Sequence, residues 1–130
     1  MGYSYHGKNI TPRVYLANDT IEYTLISSAA YLTTGTTKVI FTIPYKGYIH
    51  GTPTVYSGTV YLRTSSGFLS SDNDGISVGD NGYTFEVIDV DNELGIMTIS
   101  ITKSSAFTGT GATNNSSLNA AAANLVIKIE

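Results

Sequence analysis

Apolar and polar residues alternate most regularly in residues 82–102, and this pattern predicts two β-strands joined by an acidic turn. In the return strand, Met97, Ile99 and Ile101 alternate with hydroxyl-bearing residues. A strand with this pattern has one face in the core and the other in water, and here the wet face carries Thr98, Ser100 and Thr102. The hairpin therefore predicts an all-β protein.

The first strand of this hairpin has one break in its alternation. Its apolar face carries Tyr83, Phe85 and Val87. Strict alternation would place two aspartates, Asp89 and Asp91, on that same face. A β-bulge between Val87 and the isoleucine after it resets the register by one residue and turns both carboxylates outward. We therefore predict a bulge at this point.

Shorter apolar runs between turn residues predict the other strands. They cover residues 13–17, 20–27, 38–44, 54–64, 68–69, 76–78 and 125–130. In the strand over 54–64, Gly58 predicts a bulge or a close backbone approach, and we expect Tyr56, Val60 and Leu62 to face inward. Seven to nine short strands at this spacing favour an antiparallel β-sandwich or small barrel.

Three remaining segments are expected to lie outside the strands. We predict a loop over residues 28–37. Residues 117–123 predict a helical turn, because alanine is the best helix former and Ser117 can cap the turn. Residues 1–12 have no steady period and predict an extended N-terminal arm. The chain has 130 residues, and we predict that it forms an N-terminal arm over 1–12 and a single β domain over 13–130.

Charge and composition exclude several classes of function. Charged residues make up 13% of the chain, against roughly 25% in soluble domains, so hydroxyl groups dominate the predicted surface. The net charge of −3 leaves no basic stripe for nucleic acid. No apolar run approaches the roughly 20 residues that a membrane helix needs, and the first residues have no signal-peptide pattern. We expect a protein without nucleic-acid or membrane partners.

The inventory for catalysis is small. The chain has two histidines, no cysteine and no G-x-S-x-G motif, and Glu22 and Glu86 fall on predicted wet faces. We therefore predict no enzymatic activity, no catalytic residue and no cofactor. Two acidic turns are predicted to be solvated, one with Asp72 and Asp74 and the other with Asp89 and Asp91. For each turn, the alternative is a cation site. No metal ligand is predicted.

Tyrosine is the most informative residue type, with 10 in the chain. Large rings with a hydroxyl tip suit protein interfaces and sugar stacking alike. For an interface, we predict anchors on and after the arm at Tyr3, Tyr5, His6, Arg13 and Tyr15. For a ligand, the turn-rich segment 45–53 predicts an exposed recognition loop, and with the polar strand face it gives Tyr45, Tyr48, His50 and Tyr61.

Two segments resemble proteins of tailed bacteriophages. The last residues, NAAAANLVIKIE, are similar to the end of lambdoid head-decoration proteins, and residues 51–63, GTPTVYSGTVYLR, resemble strands of phage fibre tips. The resemblance implies a non-enzymatic virion structural protein, either a capsid decoration or part of a tail fibre, released when the host lyses. It implies a homotrimer in contact with other virion proteins. The alternative is a receptor- or carbohydrate-binding module that recognises a cell-surface glycan.

Overall fold

The computed structural model describes residues 3–5, 8–10, 13–32, 37–64, 67–68, 75–107 and 117–130. These residues contain no helix and twelve β-strands: β1 (Tyr3–Tyr5), β2 (Lys8–Ile10), β3 (Val14–Tyr15), β4 (Thr20–Leu32), β5 (Lys38–Pro44), β6 (Tyr48–Ile49), β7 (Pro53–Thr64), β8 (Gly67–Phe68), β9 (Ile76–Ser77), β10 (Tyr83–Asp91), β11 (Ile96–Lys103) and β12 (Ser117–Ile129). The predicted all-β class is confirmed.

Eight of the strands form one antiparallel sheet. Its order is β10-β11-β5-β4-β12-β7-β8, and β9 pairs with β7. The sheet curls so that β10 and β7 come into contact. Side chains from β4, β5, β7, β11 and β12 fill the enclosed space, as in a β-sandwich. Outside this sheet, β1 pairs with β2 as an antiparallel hairpin, and β3 pairs with β6 as a parallel ribbon.

The β10–β11 hairpin contains the predicted bulge. Val87 pairs with Ile99 and Asp89 pairs with Thr98, which leaves Ile88 as the extra residue. Asp89 is exposed beyond the bulge. The resetting of the register at this point is therefore confirmed.

The core face of β11 is also as predicted. Met97, Ile99 and Ile101 are fully buried, and Phe41 lies beside them on β5. On the other face, the prediction of a wet strand is wrong for Ser100, which is 1% exposed. Its Oγ has no hydrogen-bond partner among the described residues. Serine is small, and in the middle of the sheet it lies between Glu86 on β10 and Ile40 on β5, so its neighbours cover it.

β12 overturns the predicted helical turn over 117–123. Its alanines pair on one side with β4 and on the other with β7. Ala120 and Ala122 are buried and belong to the core. Pairing on both sides and burial outweigh the helix propensity of alanine. β4 likewise continues to Leu32, through part of the loop predicted over 28–37.

Gly58 in β7 confirms the prediction of a bulge or a close approach. Its φ is +127°, and a Cβ atom on it would lie 2.6 Å from the Cα of Leu125. The pairing with β12 shifts register here, so the alternation in β7 shifts by one residue. As a result, Val55 is buried and Tyr56 is 58% exposed, and the prediction that Tyr56 faces inward is wrong.

Candidate binding surface

The parallel ribbon of β3 and β6 brings residues from both predicted sets of binding residues together. The Tyr48 N–H donates to the carbonyl oxygen of Arg13 at 2.7 Å, and the His50 N–H donates to that of Tyr15 at 2.8 Å. Arg13 and Tyr15, predicted for an interface, and Tyr48 and His50, predicted for a ligand site, thus share one small structure, although each bonded pair is 35 positions apart in the sequence.

The ribbon has a distinct outer and inner face. Val14 pairs in register with Tyr48, so their side chains project on the same side. Val14 is 48% exposed and Tyr48 is 50% exposed, and Leu16 and His50 beyond them are exposed too. We call these four residues the ribbon face. On the inner side, Ile49 is buried and Tyr15 packs against the core.

Tyr45 corrects the prediction of an exposed recognition loop over 45–53. It is 7% exposed, and its hydroxyl donates to Asn92 Oδ1 at 2.7 Å. Its N–H also donates to the carbonyl oxygen of Gly95 at 2.8 Å. These bonds hold the segment against the β10–β11 turn, so Tyr45 belongs to the support of the ribbon. Within this segment, Tyr48 and His50 keep the predicted exposure.

Asn92 is a structural residue of this site that sequence reasoning missed. Its Oδ1 accepts from the Ile49 N–H at 2.8 Å, and its Nδ2 donates to the Ile49 carbonyl oxygen at 3.1 Å. The side chain thus makes the two bonds that a neighbouring strand would make to β6. In the sequence, an asparagine between acidic residues indicates a turn, and no local pattern shows that it contacts Ile49.

A cavity of about 250 Å³ lies between the ribbon, β4 and the end of β5. Its lining is mainly aromatic and aliphatic: Tyr15, Ile21, Tyr23, Pro44, Tyr45 and Lys46. The Tyr23 hydroxyl is buried and has no hydrogen-bond partner in the described part of the chain. Burial raises the pKa of Tyr23 above its usual range, and the neighbouring phenols of Tyr15 and Tyr45 raise it further. We call this cavity the tyrosine pocket.

Charges of both signs surround the ribbon. The Arg13 guanidinium carbon lies 4.7 Å from the centroid of the Tyr15 ring, within range of a cation–π interaction. Lys46 is exposed at the pocket. On the other side, burial raises the pKa of Tyr45, and the carboxylates of Asp91 and Asp89 raise it further. Cationic and anionic groups therefore lie at the same end of the molecule.

The remaining predicted site residues lie elsewhere or outside the described chain. Tyr61 is half-buried on β7, close enough to Gly75 that a Cβ there would meet its ring at 2.8 Å, and it is not part of the ribbon. Tyr3 and Tyr5 lie on β1, whose backbone pairs with β2 within the predicted arm. His6 lies outside the described residues.

The acidic turns hold no candidate metal centre among the residues that the structure describes. No three His, Asp or Glu side chains there converge as ligands. Asp91 Oδ1 instead accepts from the N–H groups of Glu93 and Leu94, both at 3.0 Å. Asp72 and Asp74 lie outside the described residues.

In the described ranges, no helix is long and apolar enough to cross a bilayer.

Comparisons with protein-family models, curated protein sequences and solved structures find no match to this chain.

Proposed function

We propose that this chain is a non-enzymatic virion structural protein, of the kind that decorates a phage capsid or builds a tail fibre, and that it assembles with copies of itself through the ribbon face. Seven large apolar side chains are exposed in the described part of the chain. Four of them belong to the ribbon or to the turn bonded to it: Val14, Leu16, Tyr48 and Leu94. This clustering carries the proposal, because adjoining exposed apolar residues are typical of contact surfaces.

The charges around the ribbon favour a second copy as the partner. Arg13 and Lys46 lie at the same end as Asp91 and Glu93. In a ring of copies, the cationic side of one such surface can meet the anionic side of the next, whereas surfaces of a single sign would repel one another. An apolar centre with a charged rim is also the usual arrangement of subunit interfaces. A stable contact buries about 1,600 Å² in total, so the N-terminal segment before β3 is expected to take part.

Light scattering on the full chain tests this proposal. We expect an oligomer, a trimer by the resemblance to phage decoration proteins, that Tyr48→Ala converts largely to monomer. Tyr31→Ala is the matched control, because Tyr31 is also a strand tyrosine and is 48% exposed, but lies on β4 away from the ribbon. A monomeric wild type, or equal losses in both variants, would reject assembly through the ribbon. Detection of the chain in purified particles by mass spectrometry checks the virion location.

A receptor- or carbohydrate-binding module is the second candidate function. The observation that favours it is the tyrosine pocket, since aromatic cavities with a few polar groups are the usual form of small-ligand sites. A glycan array probed with the full chain tests this function. We expect retention on a subset of glycans, and the absence of signal on the whole array would reject it.

A further inference from the structure

We propose that the tyrosine pocket binds one acidic sugar ring, with Tyr23 and Lys46 as the residues that determine its specificity. This inference rests on the second proposed function, since it names the ligand class of a carbohydrate-binding site. It assigns a role to two residues that sequence analysis did not select.

The size and walls of the pocket fit a single ring. Its volume of about 250 Å³ lies just below the range of about 300–1,000 Å³ for pockets that hold whole drug-sized ligands. The walls include the rings of Tyr15, Tyr23 and Tyr45. Aromatic rings offer flat apolar surfaces on which the C–H face of a sugar can stack, with hydroxyl groups at their tips. We therefore expect one sugar residue in the pocket and the rest of a glycan along the ribbon.

The Tyr23 hydroxyl supplies the hydrogen-bonding group. Buried hydroxyls normally have a partner, and this one has none within the described ranges. A sugar hydroxyl is both donor and acceptor, so it can satisfy the phenol in either sense. Like any phenol it is protonated at neutral pH and can donate, and the burial that raises the pKa of Tyr23 does not alter this. This oxygen is buried in the free protein, so we expect side chains around it to shift when a ligand bonds to it.

The charge at the pocket selects an acidic ring. Lys46 is part of the lining and is exposed, and Arg13 lies over the Tyr15 ring. Opposing carboxylates are present: Asp91 and Asp89 act on Tyr45. The Tyr45 hydroxyl, however, points to Asn92 in the β10–β11 turn, so those carboxylates lie on the turn side of the pocket. We expect the ligand carboxylate at the opposite, Lys46 side.

Titration with glucuronic acid and with glucose, monitored by ligand-observed NMR, tests whether the positive charge at the pocket selects an acidic sugar. The two probes share a ring and differ in the carboxylate. We expect the full chain to bind glucuronic acid at least tenfold more tightly at low salt, and this preference to shrink as salt screens the pair. Lys46→Gln should abolish the difference in affinity between the two sugars. Lys128→Gln is the control, because it removes a lysine of equal charge outside the pocket, where the Lys128 Nζ lies 3.8 Å from the Tyr56 centroid. Equal binding of both sugars by the wild type would overturn the acidic specificity.

Tyr23→Phe tests the hydroxyl, because it removes one oxygen and keeps the ring. We expect about tenfold weaker binding of glucuronic acid with an unchanged or higher melting temperature, since the oxygen makes no bond in the free protein. The proposed role of Tyr23 would be overturned by an unchanged affinity for glucuronic acid, or by a fall in melting temperature that accounts for the weaker binding. A glycan-array signal that survives both Tyr23→Phe and Lys46→Gln would reject the pocket and leave the carbohydrate-binding function standing. An array without any signal would reject both.

Discussion

The β10–β11 hairpin and the alanine-rich start of β12 are both regular strand structure in one sheet, but different contacts hold them. The two strands of the hairpin are neighbours in the chain, joined by a turn of four residues at 92–95, and the carboxylate of Asp91 before this turn accepts two of its backbone N–H groups. β12 pairs instead with β4 and β7, which come from distant parts of the chain. Its register shifts on both sides, between Ala122 and Leu125 against β4 and between Ala123 and Val126 against β7.

The structure of the hairpin is determined by residues close together in the sequence, whereas that of β12 depends on contacts with distant residues. In the hairpin, alternation, turn and bulge are encoded within about 20 neighbouring residues and agree with one another. In β12, the alanines favour a helix by themselves, and they form a strand only because two other strands supply hydrogen bonds and burial. Substitutions should therefore act through neighbours in β12 and through local geometry in the hairpin.

The largest expected effect is that of Gly58→Ala, where β7 meets the bulge of β12. The new Cβ would lie 2.6 Å from the Leu125 Cα, and a backbone atom cannot move aside as a flexible side chain can. With the unfavourable φ of +127°, we expect a loss of about 3 kcal/mol in the free energy of unfolding, measured with urea.

Gly79→Ala is the control for that prediction. Gly79 has a φ of +96° but no atom within 4 Å of an added Cβ, so it carries backbone strain without a clash. We expect a loss of about 1.5 kcal/mol from the strain alone. Equal losses at Gly58 and Gly79 would contradict the close approach of β7 and β12.

Ala122→Leu sharpens the role of small side chains in β12. Ala122 is buried between β4 and β7, and three extra carbon atoms must displace packed neighbours. We expect a loss of about 2.5 kcal/mol in urea unfolding. Ala121→Leu is the matched control, since Ala121 is half-buried and points to the other face, and its change should stay within about 0.5 kcal/mol. A larger loss of stability for Ala121→Leu than for Ala122→Leu would mean that the faces of β12 are assigned wrongly.

Asn92→Ala shows how far the hairpin is self-contained. The turn carries one non-local element, because the Asn92 side chain bonds to Ile49 and to the Tyr45 hydroxyl. Its removal leaves buried polar groups without partners, for which we expect a loss of about 2 kcal/mol. Hydrogen exchange locates the effect: the Ile49 amide should lose protection while the Ile99 amide keeps it. Retained protection at Ile49 would mean that β6 does not need Asn92.

The hairpin and the strand over 38–44 could be predicted from the sequence because their signals are local. The bulge after Val87 follows from two aspartates that alternation would otherwise bury. The β12 alanines, the burial of Tyr45 and the bond from Asn92 to Ile49 could not be predicted, because each depends on which distant segment lies beside it. For the candidate site, Arg13, Tyr15, Tyr48 and His50 were selected as two groups, and only the ribbon pairing unites them.

Tyr23 on β4 makes the non-local region sensitive to alkaline pH. Its pKa is raised above the ordinary 10.0, chiefly by burial, so the unfolded chain loses this proton first as the pH rises. Below pH 10 the phenol is protonated in both states, and above pH 10 its ionisation in the unfolded chain lowers the free energy of unfolding by up to about 1.4 kcal/mol per pH unit. Urea unfolding at pH 8 and pH 11 should show a smaller decrease for Tyr23→Phe than for the wild type. Equal decreases would assign the alkaline loss to other groups.

Deletion of Ile88 should have the smallest effect, and it tests whether the hairpin is encoded locally. Ile88 is the unpaired residue of the bulge and is 42% exposed. Without it, Val87 and Asp89 become consecutive, and the pairs Val87–Ile99 and Asp89–Thr98 can both remain in a regular ladder. We expect a change within about 0.5 kcal/mol in urea unfolding, with some loss of local twist. Deletion of Ser100 is the contrast, because β11 has no bulge to absorb it and Ile101 would turn out of the core. Similar losses for the two deletions would show that the bulge is required by neighbouring structure, and the hairpin would then resemble β12 in depending on its context.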